Sequence, residues 1–161
     1  MLHLCASSLA DTNAIAAALA ELSRSGDLIV LAGEMGAGKT AFAKAFGAAL
    51  GVTEPITSPT YTLVHSYPAG RITLHHADVY RLSSHHEVAD LALNELLEYD
   101  GIVLVEWGDV VADALGDHLL VHLTHDLDAE DARLIEISPV GRAWTARWER
   151  LELALEQFAE R

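Results

Sequence analysis

The stretch GEMGAGKT, residues 33–40, constrains this chain more than any other. Gly33, Gly38, Lys39 and Thr40 stand at the spacing of a phosphate-binding loop, which needs a strand before it and a helix after it. Both neighbours have that character. DLIVLAG, residues 27–33, is a short apolar run of the kind buried on both faces of a parallel sheet, and residues 39–50 read as a helix ended by Gly51. The glycines let the backbone approach phosphate oxygens without a Cβ clash, N–H groups turned inward, and the helix N-terminus adds a favourable dipole. Glu34, Met35, Gly36, Ala37 and Gly38 are expected to line the phosphates. Lys39 is expected to reach the β- and γ-phosphates, and the Thr40 hydroxyl to ligate Mg2+.

The remaining chain supplies the layers around this unit. Ile15, Leu19 and Leu22 fall at i, i+4, i+7, which predicts a helix over 11–23 capped by Asp11 or Thr12 and stopped at Gly26. Pro55 and Pro59 keep residues 53–59 out of helix. A strand is expected over 60–67, then a turn at PAG and a hairpin partner over 71–80. Ser84 with Glu87 makes a capping box for a helix running to about residue 98. Residues 102–107 (IVLVEW) read as another buried strand, and HLLVHLTH and RLIEIS as two late strands joined by an acidic turn. Trp144, Trp148, Leu151, Leu155 and Phe158 form the apolar stripe of a last helix. Early alternation and late pairing of strands predict an α/β, P-loop NTPase-like layered domain. Its mixed sheet should be parallel around the phosphate loop and antiparallel at one side.

Size and composition fit one such domain over residues 1–161. About half of the residues are apolar, and a chain of this length can bury about 70% of its unfolded surface. The lone cysteine, Cys5, rules out an internal disulfide and suits a reduced, cytoplasmic setting. No signal-peptide pattern opens the chain, and no apolar run approaches the roughly 20 residues needed to span a bilayer. The net charge is -14, and Lys39 and Lys44 are the only lysines. Such a chain repels phosphate backbones, so tight direct nucleic-acid binding is not expected.

A phosphate loop needs a further acid to hold the metal or its waters. Glu106, ending IVLVE, and Asp78, ending RITLHHAD, are the candidates, because ligands gather at the carboxyl ends of strands in open α/β sheets. The hydroxyl-rich, proline-stiffened loop TSPTYT, residues 57–62, has the makings of a switch that senses the γ-phosphate or Mg2+. His75, His76, His85 and His86 invite a metal-site reading, but neighbours on a strand point to opposite faces, which favours surface or hydrogen-bonded histidines. The guanine-reading Asn-Lys-x-Asp element is absent, since Asn13 and Asn94 precede Ala and Glu; by elimination this favours ATP over GTP.

GEMGAGKT, SPTYTLV, HHADVYRL and LVEWGD, in this order and spacing, together resemble the TsaE (YjeE) family of small bacterial ATPases. The match is closest over residues 26–109. The resemblance implies a P-loop ATPase required for threonylcarbamoyladenosine modification of tRNA next to the anticodon. It implies action on the TsaD–TsaB pair, with ATP and Mg2+ as cofactors and hydrolysis resetting the complex between turnovers. Carried over, Lys39 is the phosphate lysine and Thr40 the metal hydroxyl. Thr60 belongs to the switch-like loop, Asp78 and Glu106 are acids needed for hydrolysis, with Glu106 also at the metal, and Trp107 shapes the site. Thr12 is placed against the base. The chain departs from the family pattern at Ala41, where Thr is usual, at Ala92, where Gly is frequent, and at Gly108, where Pro is common.

Two other readings use the same loop. A small-molecule or protein kinase would take Asp78 as base, although no arginine-rich lid is evident. A non-hydrolytic adaptor would use ATP only to set the shape that a partner recognises.

Overall fold

A computed structural model describes residues 1–57, 59, 64–70, 72–79, 93–97, 101–107 and 115–161. Its strands are β1 (Leu2–Ala6), β2 (Leu28–Ala32), β3 (Val64–Ala69), β4 (Ile72–Asp78), β5 (Gly101–Glu106), β6 (His118–His125) and β7 (Arg133–Val140). They form one sheet in the order β1-β7-β6-β2-β5-β4-β3. The α-helices among the described residues are α1 (Leu9–Leu22), α2 (Lys39–Leu50), α3 (Leu93–Leu97) and α4 (Trp148–Leu155).

The centre of the sheet follows from the apolar runs. All five residues of β2 and all six of β5 are buried. β2 pairs in parallel with both β5 and β6, and β4 in parallel with β5. The carboxyl ends of these four strands therefore meet at one edge of the sheet, where the phosphate loop leaves β2. One face packs on α1, α2 and α4 through Ile15, Leu19, Phe42, Phe46 and Leu151, and the other carries Val30, Ala77, Val103 and Val105. Phe42 and Phe46 are fully buried and fasten α2, hence the loop, to the sheet; truncating such a side chain to Ala costs about 3–5 kcal/mol.

The α/β P-loop architecture is as expected, with corrections at the margins. The sheet is antiparallel at both sides: β3 with β4 at one, and β6, β7 and β1 at the other. The strand β1 was not anticipated; its register with β7 joins Leu2 to Ile137 and Ala6 to Arg133. The first helix begins earlier than Asp11 because Ser8 is its cap, accepting from Asp11 N–H. Asp11 in turn accepts from Ser7 N–H. Pro68 and Ala69 belong to β3 and the turn falls at Gly70. Of the helix expected from Ser84, only Leu93–Leu97 is described. At the C-terminus, 3-10 turns flank a shorter α4, while the stripe is core as expected: Trp144, Leu151 and Leu155 are buried. No helix among the described residues is long and apolar enough to cross a membrane.

Candidate functional site

The loop from β2 to α2 wraps back on its own lysine. Gly33 lies at φ 141, and a Cβ there would meet the Leu123 carbonyl oxygen of β6 at 2.4 Å, so only glycine fits. Gly38, at φ 103, is the left-handed N-cap that starts α2 at Lys39. Lys39 is buried, and its Nζ donates to Gly33 O at 2.6 Å and Glu34 O at 2.8 Å. The same ammonium lies 3.7 Å from the centroid of the Trp107 ring, a cation–π contact. Glu34, Met35 and Gly36 are exposed at the loop tip and Ala37 is buried beneath it.

One turn into the helix, Thr40 Oγ1 donates to Glu106 Oε1 at 3.1 Å. Glu106 ends β5, directly opposite Asp78 at the end of β4. Glu106 is 3% exposed; Asp78 is half-buried. The sequence-predicted residues Lys39, Thr40, Asp78 and Glu106 thus sit at one edge of the sheet, brought there by three parallel strands. Trp107 leaves β5 at φ 66, the one non-glycine positive φ among the described residues, with its N–H on Leu31 O at 2.9 Å. That turn sets the indole over Lys39.

Thr12 is buried on α1 and lines a cavity of about 40 Å3 with Leu9, Gly38, Ala41, Asp131 and Arg133, on the far side of the loop from Glu106. Thr60 lies outside the described residues, as do His85 and His86.

Two residues of the site were missed in the sequence. Arg133, at the start of β7, donates from Nε to Ala37 O at 2.8 Å and from Nη1 to Glu130 O and Ala132 O. It buttresses the phosphate loop from 96 residues away. The other is His76, whose Nε2 lies 2.5 Å from Glu106 Oε2. Its signal was present: residues 76 and 78 share one face of β4, so a histidine two before a candidate acid faces the same site. His75, on the opposite face, pairs through Nδ1 with Ser66 Oγ at 2.8 Å, and burial holds its pKa below the usual histidine value.

Thr40 and Glu106 offer a hydroxyl and a carboxylate oxygen beside a helix N-terminus. This hard-oxygen set is of the kind that suits Mg2+.

Comparison with known proteins bears on the same residues. The family described as threonylcarbamoyl adenosine biosynthesis protein TsaE matches residues 6–135, which include every strand-end and loop residue named above. The tRNA threonylcarbamoyladenosine biosynthesis protein TsaE of Bacillus subtilis is 36% identical over 141 residues, covering 88% of this chain and 87% of that protein. The protein of the same name from Treponema pallidum is 41% identical over 108 residues, 67% of this chain and 79% of that one. The crystal structure of Bacillus subtilis YdiB superposes with a TM-score of 0.76 at 30% identity, covering 94% of each chain. The chain belongs to the TsaE family.

Proposed function

We propose that this chain is the ATP-binding, ATP-hydrolysing subunit for threonylcarbamoyladenosine modification of tRNA, acting in the cytoplasm on the TsaD–TsaB complex. The observation that carries the reading is the convergence of Lys39, Thr40, Asp78 and Glu106 at the carboxyl edge of the sheet, with Thr40 Oγ1 3.1 Å from Glu106 Oε1. Family membership supports the tRNA-modification role.

Each group has a distinct task. Lys39 exchanges loop carbonyls for phosphate oxygens and offsets their charge. The loop N–H groups and the start of α2 hold the phosphates in place. Thr40 and Glu106 are the residues to hold Mg2+, which when bound supplies Lewis-acid stabilisation of charge on the transferred phosphoryl group. Asp78, beside Glu106, orients the attacking water. Catalysis of this type rests on positioning and electrostatics. An acidic chain that meets the modification machinery through protein contacts does not need to grip tRNA itself.

The test is phosphate release from Mg2+-ATP by the isolated protein, then with TsaD–TsaB at saturating nucleotide. Slow release alone and a clear acceleration by the pair are expected. An arginine supplied in trans gives about 10³–10⁵ in GTPases, so part of that effect would be visible. Equal rates, with binding confirmed, would contradict the reading; transfer of phosphate to an acceptor would replace it with the kinase reading.

A further inference from the structure

His76 is the most enclosed polar side chain at the site. Its side chain is 0% exposed and that of Glu106 4%. The register of β4 on β5 sets His76 opposite Leu104 and Asp78 opposite Glu106, so His76 reaches Glu106 diagonally across the same sheet face. Its Nε2 meets Oε2 of the carboxylate at 2.5 Å, while Oε1 is the nearer acceptor for Thr40 Oγ1, at 3.1 Å against 3.4 Å for Oε2. Among the described residues, Nδ1 is buried with no hydrogen-bond partner. A proton on Nδ1 would be stranded, whereas one on Nε2 has an acceptor, so the tautomer is Nε2–H donating to Glu106. A buried polar atom without a partner is a cost that an apolar residue of similar size would avoid. What the imidazole supplies in return is the bond at Nε2.

We propose that His76 is a positioning residue for the reaction: it holds Glu106 by one carboxylate oxygen so that the other faces Thr40 and the metal. The bond fixes the carboxylate's rotation. Without it the side chain is free to swing, and the metal that Glu106 would hold loses a fixed ligand. This rests on the ATP- and Mg2+-dependent reading above.

The experiment compares His76→Leu, which removes the donor, with His76→Gln, which returns an N–H at similar reach, both screened for wild-type melting. Three readouts are taken. In imidazole 15N spectra of the wild-type protein, His76 should show a protonated Nε2 and a bare Nδ1; the opposite tautomer overturns the proposal whatever the nucleotide chemistry. The Mg2+ concentration for half-maximal binding of a non-hydrolysable ATP analogue should rise about tenfold or more in His76→Leu. In His76→Gln it should stay within about threefold of wild type, with metal-free analogue binding unchanged in both. Turnover should fall about tenfold or more in His76→Leu, and the same change in a Glu106→Gln background should cost no more than about twofold further. Equal loss in the Leu and Gln variants, or full additivity with Glu106→Gln, would overturn it by marking His76 as packing alone. A wild-type protein that binds no Mg2+-nucleotide would instead sink the ATPase reading, and the tautomer would still decide the pairing.

Discussion

β2 has a buried cation near each end, and among the described residues the two are held by different kinds of partner. Before its start, Arg147 makes a bidentate pair with Asp27 at 2.6 and 2.8 Å, and also donates to Leu22 O and Ala143 O at 2.9 Å. Its guanidinium stacks on Trp144 at 3.9 Å. Beyond its end, Lys39 lies on two carbonyls of a glycine-rich loop and on the Trp107 ring. The first cation is locked to a fixed carboxylate by residues 120 apart in sequence, which ties the C-terminal segment to the sheet. Among the described residues the second rests on backbone oxygens and an indole ring. On the reading proposed above, the same burial serves a clamp at one end and phosphate binding at the other.

Breaking the clamp should have the largest effect. Asp27→Ala leaves Arg147 buried without its carboxylate and strips an acceptor from Arg24 N–H. A loss of about 3–5 kcal/mol of stability is expected, read from urea unfolding, with nucleotide affinity of the folded fraction unchanged. At the other end the sign of the comparison inverts. Lys39→Ala should weaken ATP binding about 100-fold, or about 2.7 kcal/mol, and shift the urea midpoint far less than Asp27→Ala does. If Lys39→Ala proves the more destabilising, or Asp27→Ala abolishes binding in folded protein, the contrast fails.

Smaller effects sharpen it. Glu106→Ala and Asp78→Ala should each lower turnover by about tenfold or more, about 1.4 kcal/mol, while affinity measured by calorimetry falls modestly. Normal hydrolysis by both would remove these acids from the mechanism. Arg133→Ala frees the Ala37 carbonyl and loosens the loop; a rise of about fivefold in the ATP dissociation constant, near 1 kcal/mol, is expected. Loss of that size in folding stability without any change in affinity would make Arg133 purely structural.

The smallest effect is in pH. Burial lowers the His75 pKa in the folded protein, so the unfolded chain binds the proton more readily. This contribution to stability is full above the unfolded value of about 6.5 and is lost as pH falls through the folded pKa. The melting temperature should decline on acidification below about pH 6.5, and His75→Gln should flatten that decline. An unchanged slope in the variant would assign the pH dependence to other groups.

What the sequence made legible divides along similar lines. The β2–loop–α2 unit is written locally, in an unbroken apolar run, three glycines and a lysine, and it reads directly. Asp78 and Glu106 were found because each closes a strand-like run. β1 was not, since LHLCA has no turn signal before it and its pairing with β7 is decided by residues 133–137, far along the chain. The cap at Ser8 is less legible although Ser8 and Asp11 stand at capping-box spacing, because the apolar periodicity begins only at Ile15. Arg133 and Arg147 carry no local mark of their roles: the acceptors that define them, Ala37 O and the Asp27 carboxylate, lie 96 and 120 residues away. His76 was set aside with its neighbour as one of a pair, when the alternation of faces on a strand was the reason to separate them.

The reading proposed above has the Lys39 end of β2 bind and hydrolyse ATP through Lys39, Thr40 and Glu106. Its most direct test is single-turnover phosphate release from pre-bound Mg2+-ATP, with TsaD–TsaB present, by the wild-type protein and by Glu106→Ala at equal nucleotide occupancy. The account predicts release by the wild type and a rate at least about tenfold lower in the variant. Equal rates at equal occupancy would contradict it.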